Sequence, residues 1–445
     1  MWFLGIDVGT THVKVVGVTE DGTVLPAARR RTPVLTLGGY AYHDGAAVWA
    51  EIADLAAEYA TTTAAGRGGL RGVSVGSFGQ EESLAVDAAG AVVTPTLAWW
   101  QTPPGSALDA EVRAYLDSPE HYAVSGMRYR AIQSPERIAA LRAERPDAWR
   151  RTRRYVDFIS YVTWQLSGRW RASSTQITHS QVFELDTLAP HRPSLDALTL
   201  TPDLFGPVGR PGEVVDALRP DALPGVPLAP DATVYLGAHD QVLALYAVAA
   251  GTDRAVFDSI GTSEYLMVRA PRFAPDDVAY RLGMDYEHAW RAGEYLLGHA
   301  VTSGKVVQLL AELFCGGDFD RLYRALATDV AVPEPVRLRV SDLSRPGAGL
   351  ISLADIPADA TPAGVVRACL DQLADTTRGT IARMCEVAGV ELGEVTLMGS
   401  QFRRDEMLAH RRARWQLPLH RADAGEPVAT GAALLARDAA AGGLR

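Results

Sequence analysis

Asp7, Gly9, Thr10 and Thr11 stand together in "LGIDVGTTHVKVVGV", residues 4–18, where two apolar runs meet. Their types and spacing suit anion chemistry. The backbone N–H groups and hydroxyls of a glycine turn cradle phosphate oxygens, and a carboxylate beside them holds a hydrated magnesium ion. A plain tight turn uses the same residues, because glycine accepts positive φ and threonine hydroxyls bond nearby backbone. One turn alone leaves that choice open.

A second turn narrows it. In "VFDSIGTS", residues 256–263, an apolar strand again runs through an Asp into Gly261-Thr262, 252 positions (261 minus 9) after Gly9-Thr10. Two halves that each offer a Gly-Thr turn could clamp a polyphosphate across a cleft, which one turn could not.

The elements that must position these turns follow from periodicity. Leu4, Ile6 and Val8, then Val13, Val15, Val16 and Val18, predict two strands joined at the turn. A helix near 45–60 has Asp44 as its N-cap and Val48, Ile52, Leu55 and Tyr59 on one face. A strand at 71–76 and helices at 107–116, 134–144 and 155–166 follow. Prolines cluster between 187 and 233 and predict surface loops with short elements leading out of a first domain. "TVYLGAHDQVLALYAVAAG" then reads as strand, turn and a helix over 241–250, with Asp240 as an N-cap and a second domain starting about there. Residues 363–388 have the spacing of one long helix, and "EVTLMGSQ" is a strand ending at a glycine. In "EPVATGAALLAR", Pro427 takes a first-turn position, and Gly431, Ala432 and Ala433 permit close approach of a neighbour.

The chain has 445 residues, 47% of them hydrophobic and 22% charged, which suits a globular protein of two domains. A formal net charge of −10 with interspersed signs argues against a nucleic-acid partner. The arginine-rich stretch 137–154 reads as a solvated helix face with Ile138 and Leu141 inward. Cys315, Cys369 and Cys385 have neither metal-ligand nor disulfide spacing, so a reducing, cytoplasmic location is expected. No secretory signal pattern opens the chain, and its apolar runs are too short to span a bilayer.

Taken in order, "GIDVGTTHVKVV", "YAYHDGAAVW", "VSVGSFGQEESLAVD", "PTLAWW", "GAHDQVLALYAVAAG", "SIGTSEY" and "EPVATGAALLA" resemble the FGGY family of carbohydrate kinases. The resemblance implies an α/β fold of two ribonuclease-H-like domains of the actin-like ATPase kind with a ligand cleft between them. Residues 1–236 would bind sugar and 237–445 nucleotide. It implies ATP and Mg2+ as cofactors, with Gly9, Thr10, Thr11, Gly261, Thr262, Gly399 and Ser400 holding the nucleotide. Asp7 would hold magnesium through water, and Asp240 would be both general base and the second magnesium contact. Gln80, Glu81, Glu82, Trp99, Asp240 and Gln241 would face the acceptor. A solvated loop at 80–82 and a core role for Trp99 and Trp100 are the structural alternatives.

The implied activity is ATP-dependent phosphorylation of a hydroxyl of a small sugar or polyol. A neutral acceptor is expected, because no Lys or Arg within "GSFGQEES" or "LAWWQTPPG" offsets Glu81 and Glu82. The partners expected are that small molecule and neither nucleic acid nor membrane, with a homodimer left open. Gln101 stands where the family has an Asp, and "LMGSQ" replaces a glycine triplet. These departures motivate the alternative of a catalytically weak, sugar-binding paralogue acting as sensor or partner protein.

Overall fold

The structure is a computed structural model that describes the chain apart from residues 104–107, 262–263, 302, 327–329, 341–350, 423–424 and 445. Thr262, expected in the second phosphate turn, therefore lies outside the described residues. The expected hairpin forms: β1 (Trp2–Val8) pairs antiparallel with β2 (His12–Thr19), Asp7 opposite Lys14 and Val8 opposite Val13. All seven residues of β1 are buried, as a strand covered on both faces requires.

β3 (Ala28–Arg31), β4 (Leu70–Ser77), β5 (Val214–Ala217) and β6 (Leu228–Tyr235) complete the sheet in the order β5-β6-β4-β1-β2-β3. β1, β4 and β6 run parallel. β5 and most of β6 lie within the proline-rich segment read as surface loops with short elements, and β6 ends in the strand expected at "TVYL"; what is corrected is that this segment leads out of the first domain, since both strands pair in its sheet. Their partners are distant in sequence, and local composition reports only the turns around them.

Period-two alternation decides what each face of β1 meets. Trp2, Leu4, Ile6 and Val8 share one core with Val48, Ile52, Leu55 and Tyr59 of α1 (Gly45–Thr62) and with Phe158, Tyr161, Val162 and Leu166 of α2 (Phe158–Ser167). Asp44 caps α1 by accepting from the Ala46 N–H at 2.9 Å, as its sequence predicts. α2 begins later than the expected 155, because Arg154–Asp157 is a strand and Asp157 is the cap. On the other face, Phe3 packs with Tyr235 and with Ala436 of the helix Pro427–Ala440. That helix also lies against α3 (Asp240–Ala249) at backbone contact: a Cβ on Gly431 would stand 1.9 Å from the Leu243 carbonyl oxygen. Asp7 shares this second face.

The chain divides into two compact units, the first comprising Met1–Thr252, Tyr286–Glu294 and the final stretch with the helix Pro427–Ala440. α3 and that helix, both beyond the expected 236/237 boundary, thus belong with the first unit, where the small residues of one fit the backbone of the other.

In the second unit, β7 (Val256–Ile260), β8 (Glu264–Ala270), β9 (Tyr295–Val301), β10 (Val395–Met398) and β11 (Leu419–Arg421) follow the order β9-β8-β7-β10-β11. Its first three strands are antiparallel, and β7, β10 and β11 are parallel. The first unit repeats this pattern in β3-β2-β1-β4-β6, so both units have the ribonuclease-H-like α/β arrangement. α4 (Pro362–Ala388) starts at a Thr361 cap and ends at a left-handed Gly389. α5 (Asp405–Trp415) supplies Arg411, which donates to the buried Glu264 carboxylate at 2.7 Å. Asp258, the acid before the second Gly-Thr turn, is fully buried, and burial with Glu264 beside it raises its pKa well above the usual range.

The arginine-rich helix is not wholly a solvated face. Arg137 is buried and donates to the carbonyls of Leu97, Ala98, Trp99, Gln101 and Ile132. The three cysteines are free and buried. No helix among the described residues is long and apolar enough to cross a membrane.

His121 makes acid stability testable. It is buried, with its Nε2 at 3.1 Å from the Gln181 carbonyl and the His191 and Tyr115 rings alongside, and burial pushes its pKa down to about 4. The unfolded chain, with a histidine near 6.5, takes up the proton first. Stability is then lost as pH falls from about 6.5 toward 4, by up to about 1.4 kcal/mol per pH unit from this group. Urea titrations across that window should show a shallower acid decline for His121→Gln than for the parent; equal slopes would refute the assignment.

Candidate active site

The site is built where parallel strands end. β1 delivers Asp7 and then the Gly9–Thr11 turn, β4 ends at Ser77 and runs into Phe78–Glu82, and Ala238–His239 pairs with Gly76–Ser77 before α3 begins at Asp240. The carboxyl ends of strands are where α/β sheets bind ligands, because the loops there are free of the sheet's own bonding. A buried polar run, Ser173–Gln181, braces these ends. Gln176 Nε2 donates to the Phe78 carbonyl at 2.9 Å, and Thr175 Oγ1 accepts from the His239 N–H at 2.9 Å.

Asp7 is 5% exposed, and its Oδ2 lies 3.2 Å from Lys14 Nζ, which also reaches Glu426 at 3.0 Å. Cross-strand register explains the first contact, since Lys14 is opposite Asp7. Burial raises the Asp7 pKa to about 6 against the pull of Lys14, and the charge of Asp240 adds to the rise. Asp240 is 28% exposed at its side chain, with Oδ1 3.1 Å from His239 Nε2. It is the first residue of α3, and His239 occupies the cap position, so the expected N-cap role is corrected. Burial raises its pKa, and His239 opposes the rise.

Sequence reasoning missed a chain of charges behind Asp240. Glu81 Oε1 lies 2.8 Å from His179 Nδ1, and His179 Nε2 lies 3.2 Å from Glu287 Oε1. Glu287 Oε2 in turn lies 2.9 Å from His239 Nδ1. Burial works against charge throughout, yet the pairing overcomes it: His179 is held well above its usual range and His239 at about 9, while Glu81 and Glu287 are brought down to about 2. Neither stretch around Glu81 and Glu82 holds a Lys or Arg, as read from sequence; the group paired with Glu81 is a histidine from outside both. The one legible hint was the His adjoining Asp in "GAHD"; His179 and Glu287 come from segments with no motif.

The remaining candidates fall into two groups. In the first unit, Glu82 is fully buried; one oxygen pairs with His43 Nδ1 and the other accepts the Trp99 N–H at 2.9 Å. It braces the turn that presents Trp99. Gln80 is also buried, its carbonyl accepting from Ser83 and Ser134. Trp99 is 36% exposed, and its Nε1 donates to Thr10 Oγ1 at 2.9 Å, joining the aromatic to the Gly9–Thr11 turn. Thr11 is exposed, Gly9 and Gln241 are half-buried, and Gln101 Oε1 accepts from the Ala41 N–H. In the second unit, Gly261 offers its carbonyl to Gln401 Nε2 at 2.9 Å. Gly399 has φ 88° against the backbone of Ile260, where no Cβ fits, and Ser400 is exposed at the start of a short helical turn.

This chain belongs to the FGGY family of carbohydrate kinases: the profile of that family's N-terminal domain matches residues 2–247. It is 24% identical over 276 residues to the L-fuculokinase of Haemophilus influenzae, a stretch covering 60% of this chain and 58% of that protein. Among solved structures, a xyloylose kinase from Brucella ovis superposes with a TM-score of 0.88 at 18% identity, over 100% of this chain and 91% of the other. A gluconate kinase from Lactobacillus acidophilus does so with a TM-score of 0.82 at 16% identity, over 99% and 89%. Likeness at such identities shows the fold and leaves the acceptor open.

Proposed function

We propose that this chain transfers the terminal phosphoryl group of ATP to a hydroxyl of a small neutral sugar or polyol, with Asp240 as general base. The observation that carries this reading is Asp240 itself, a partly exposed carboxylate at the strand ends among carboxylates that are far more enclosed. It would accept the proton of the attacking hydroxyl as the new O–P bond forms and the bond to the leaving ADP breaks. The acceptor would lie near Glu81, Trp99 and Gln241. The Gly9–Thr11 turn would hold phosphate oxygens, and we extend the same role to Gly261, Gly399 and Ser400.

Magnesium fits the residues present. Asp7 and Asp240 offer hard oxygen donors, and the charge of Asp240 adds to the raised pKa of Asp7, an opposition that a dication relieves. When bound, the ion would neutralise charge on the transferring phosphate.

A neutral acceptor is favoured because the cations nearby are committed: both nitrogens of His179 face carboxylates, and Arg137 is spent on main-chain carbonyls. A panel of polyols, ketoses and sugar acids with ATP and magnesium, read by ADP release, tests this. Acceptor-dependent release with a neutral compound is expected. Turnover of a gluconate-type acid with neutral compounds inert would overturn the acceptor class, and sugar binding without any turnover would establish the sensor alternative.

A further inference from the structure

We propose that His179, His239 and Glu287 form a binding site for a zinc-class divalent cation, separate from the magnesium role given to Asp7 and Asp240. His179 Nε2, His239 Nδ1 and the Glu287 carboxylate converge with all ligand atoms within 4.8 Å of one another, and all three residues are buried. Two imidazoles and one carboxylate make the donor set that late first-row dications prefer over magnesium.

The outer contacts supply an independent observation. His179 turns its remaining nitrogen to a second carboxylate, its Nδ1 hydrogen-bonded to Glu81 at 2.8 Å, while His239 Nε2 lies 3.1 Å from Asp240 Oδ1 with no hydrogen bond between them. At His179 this carboxylate–histidine arrangement fixes the tautomer and aims the inner nitrogen at a metal. The two rings stand edge to face, 75° apart with centroids at 5.5 Å, so both inner nitrogens point to one carboxylate.

Tyr286–Glu294 belongs to the first unit although the residues before and after it belong to the second. Glu287 lies in that excursion, and a cation there would pin it to the 177–180 turn and to the start of α3.

The test uses the full chain, stripped with a chelator and titrated with Co2+ and then Zn2+. Stoichiometric Co2+ uptake with the visible absorption of a low-coordinate N/O site is expected, displaced by Zn2+ and not by millimolar Mg2+. Glu81→Gln, which removes only an outer contact, should weaken Co2+ binding about 10- to 100-fold, and His179→Gln should abolish it in protein whose circular dichroism is unchanged. If the folded parent takes up no Co2+ or Zn2+, or if His179→Gln and Glu287→Gln bind as the parent does, the site is refuted and the cluster is a chain of imidazolium–carboxylate pairs. Neither result depends on phosphoryl transfer.

Discussion

Asp240→Asn is expected to lower kcat about 10²- to 10⁴-fold, the span that a general base contributes, while acceptor binding stays within about tenfold. Asparagine keeps the size and shape of the side chain, so the helix start and the neighbouring His239 remain in place. What is lost is a group able to take the hydroxyl proton. The comparison needs kcat and KM measured separately with a confirmed acceptor, alongside circular dichroism of the variant. A KM effect alone would mark Asp240 as a binding residue, and near-normal kcat would remove it from the mechanism.

Gly431→Ala is expected to destabilise the first unit by more than about 3 kcal/mol, beyond the usual cost of overpacking. The added Cβ would sit 1.9 Å from the Leu243 carbonyl oxygen and 2.7 Å from its carbon. These are backbone atoms of α3, which cannot rotate away as a side chain would. The helix Pro427–Ala440 must therefore lift from α3, the element that begins at Asp240. Gly379→Ala is the contrast: Gly379 lies inside α4, is exposed and would meet nothing within 4 Å, so alanine there should add roughly 0.5–1 kcal/mol through helix propensity. Thermal unfolding of the two variants decides the matter, and a Gly431→Ala protein as stable as the parent would show that the two helices are free to separate.

Much of the first site was legible because its parts are neighbours in the chain. The β1–β2 hairpin, its Gly-Thr turn and the capped α1 are set by alternation, glycine and an Asp before a helix, all local features. The Asp240 helix and the close-packing helix near the end were legible for the same reason. Lys14 was in plain view in "GTTHVKVV", but only the antiparallel register places it opposite Asp7. α3 groups with the first unit through a packing partner more than 180 positions away, which no local feature of its own stretch reports.

What the sequence by itself determined is the type and order of most of the elements and the family, with Asp7 and Asp240 as candidates for magnesium and for proton transfer. Those depend on torsional preference, hydrophobic period and short motifs, each readable within a few residues. Tertiary structure alone decided the electrostatic state of the site. His179 lies 98 positions from Glu81 and 108 from Glu287, and Arg137 serves carbonyls more than 30 positions away. Charge interactions fall off with distance in space and are strengthened by burial, and neither quantity is written in the spacing of residues along a chain.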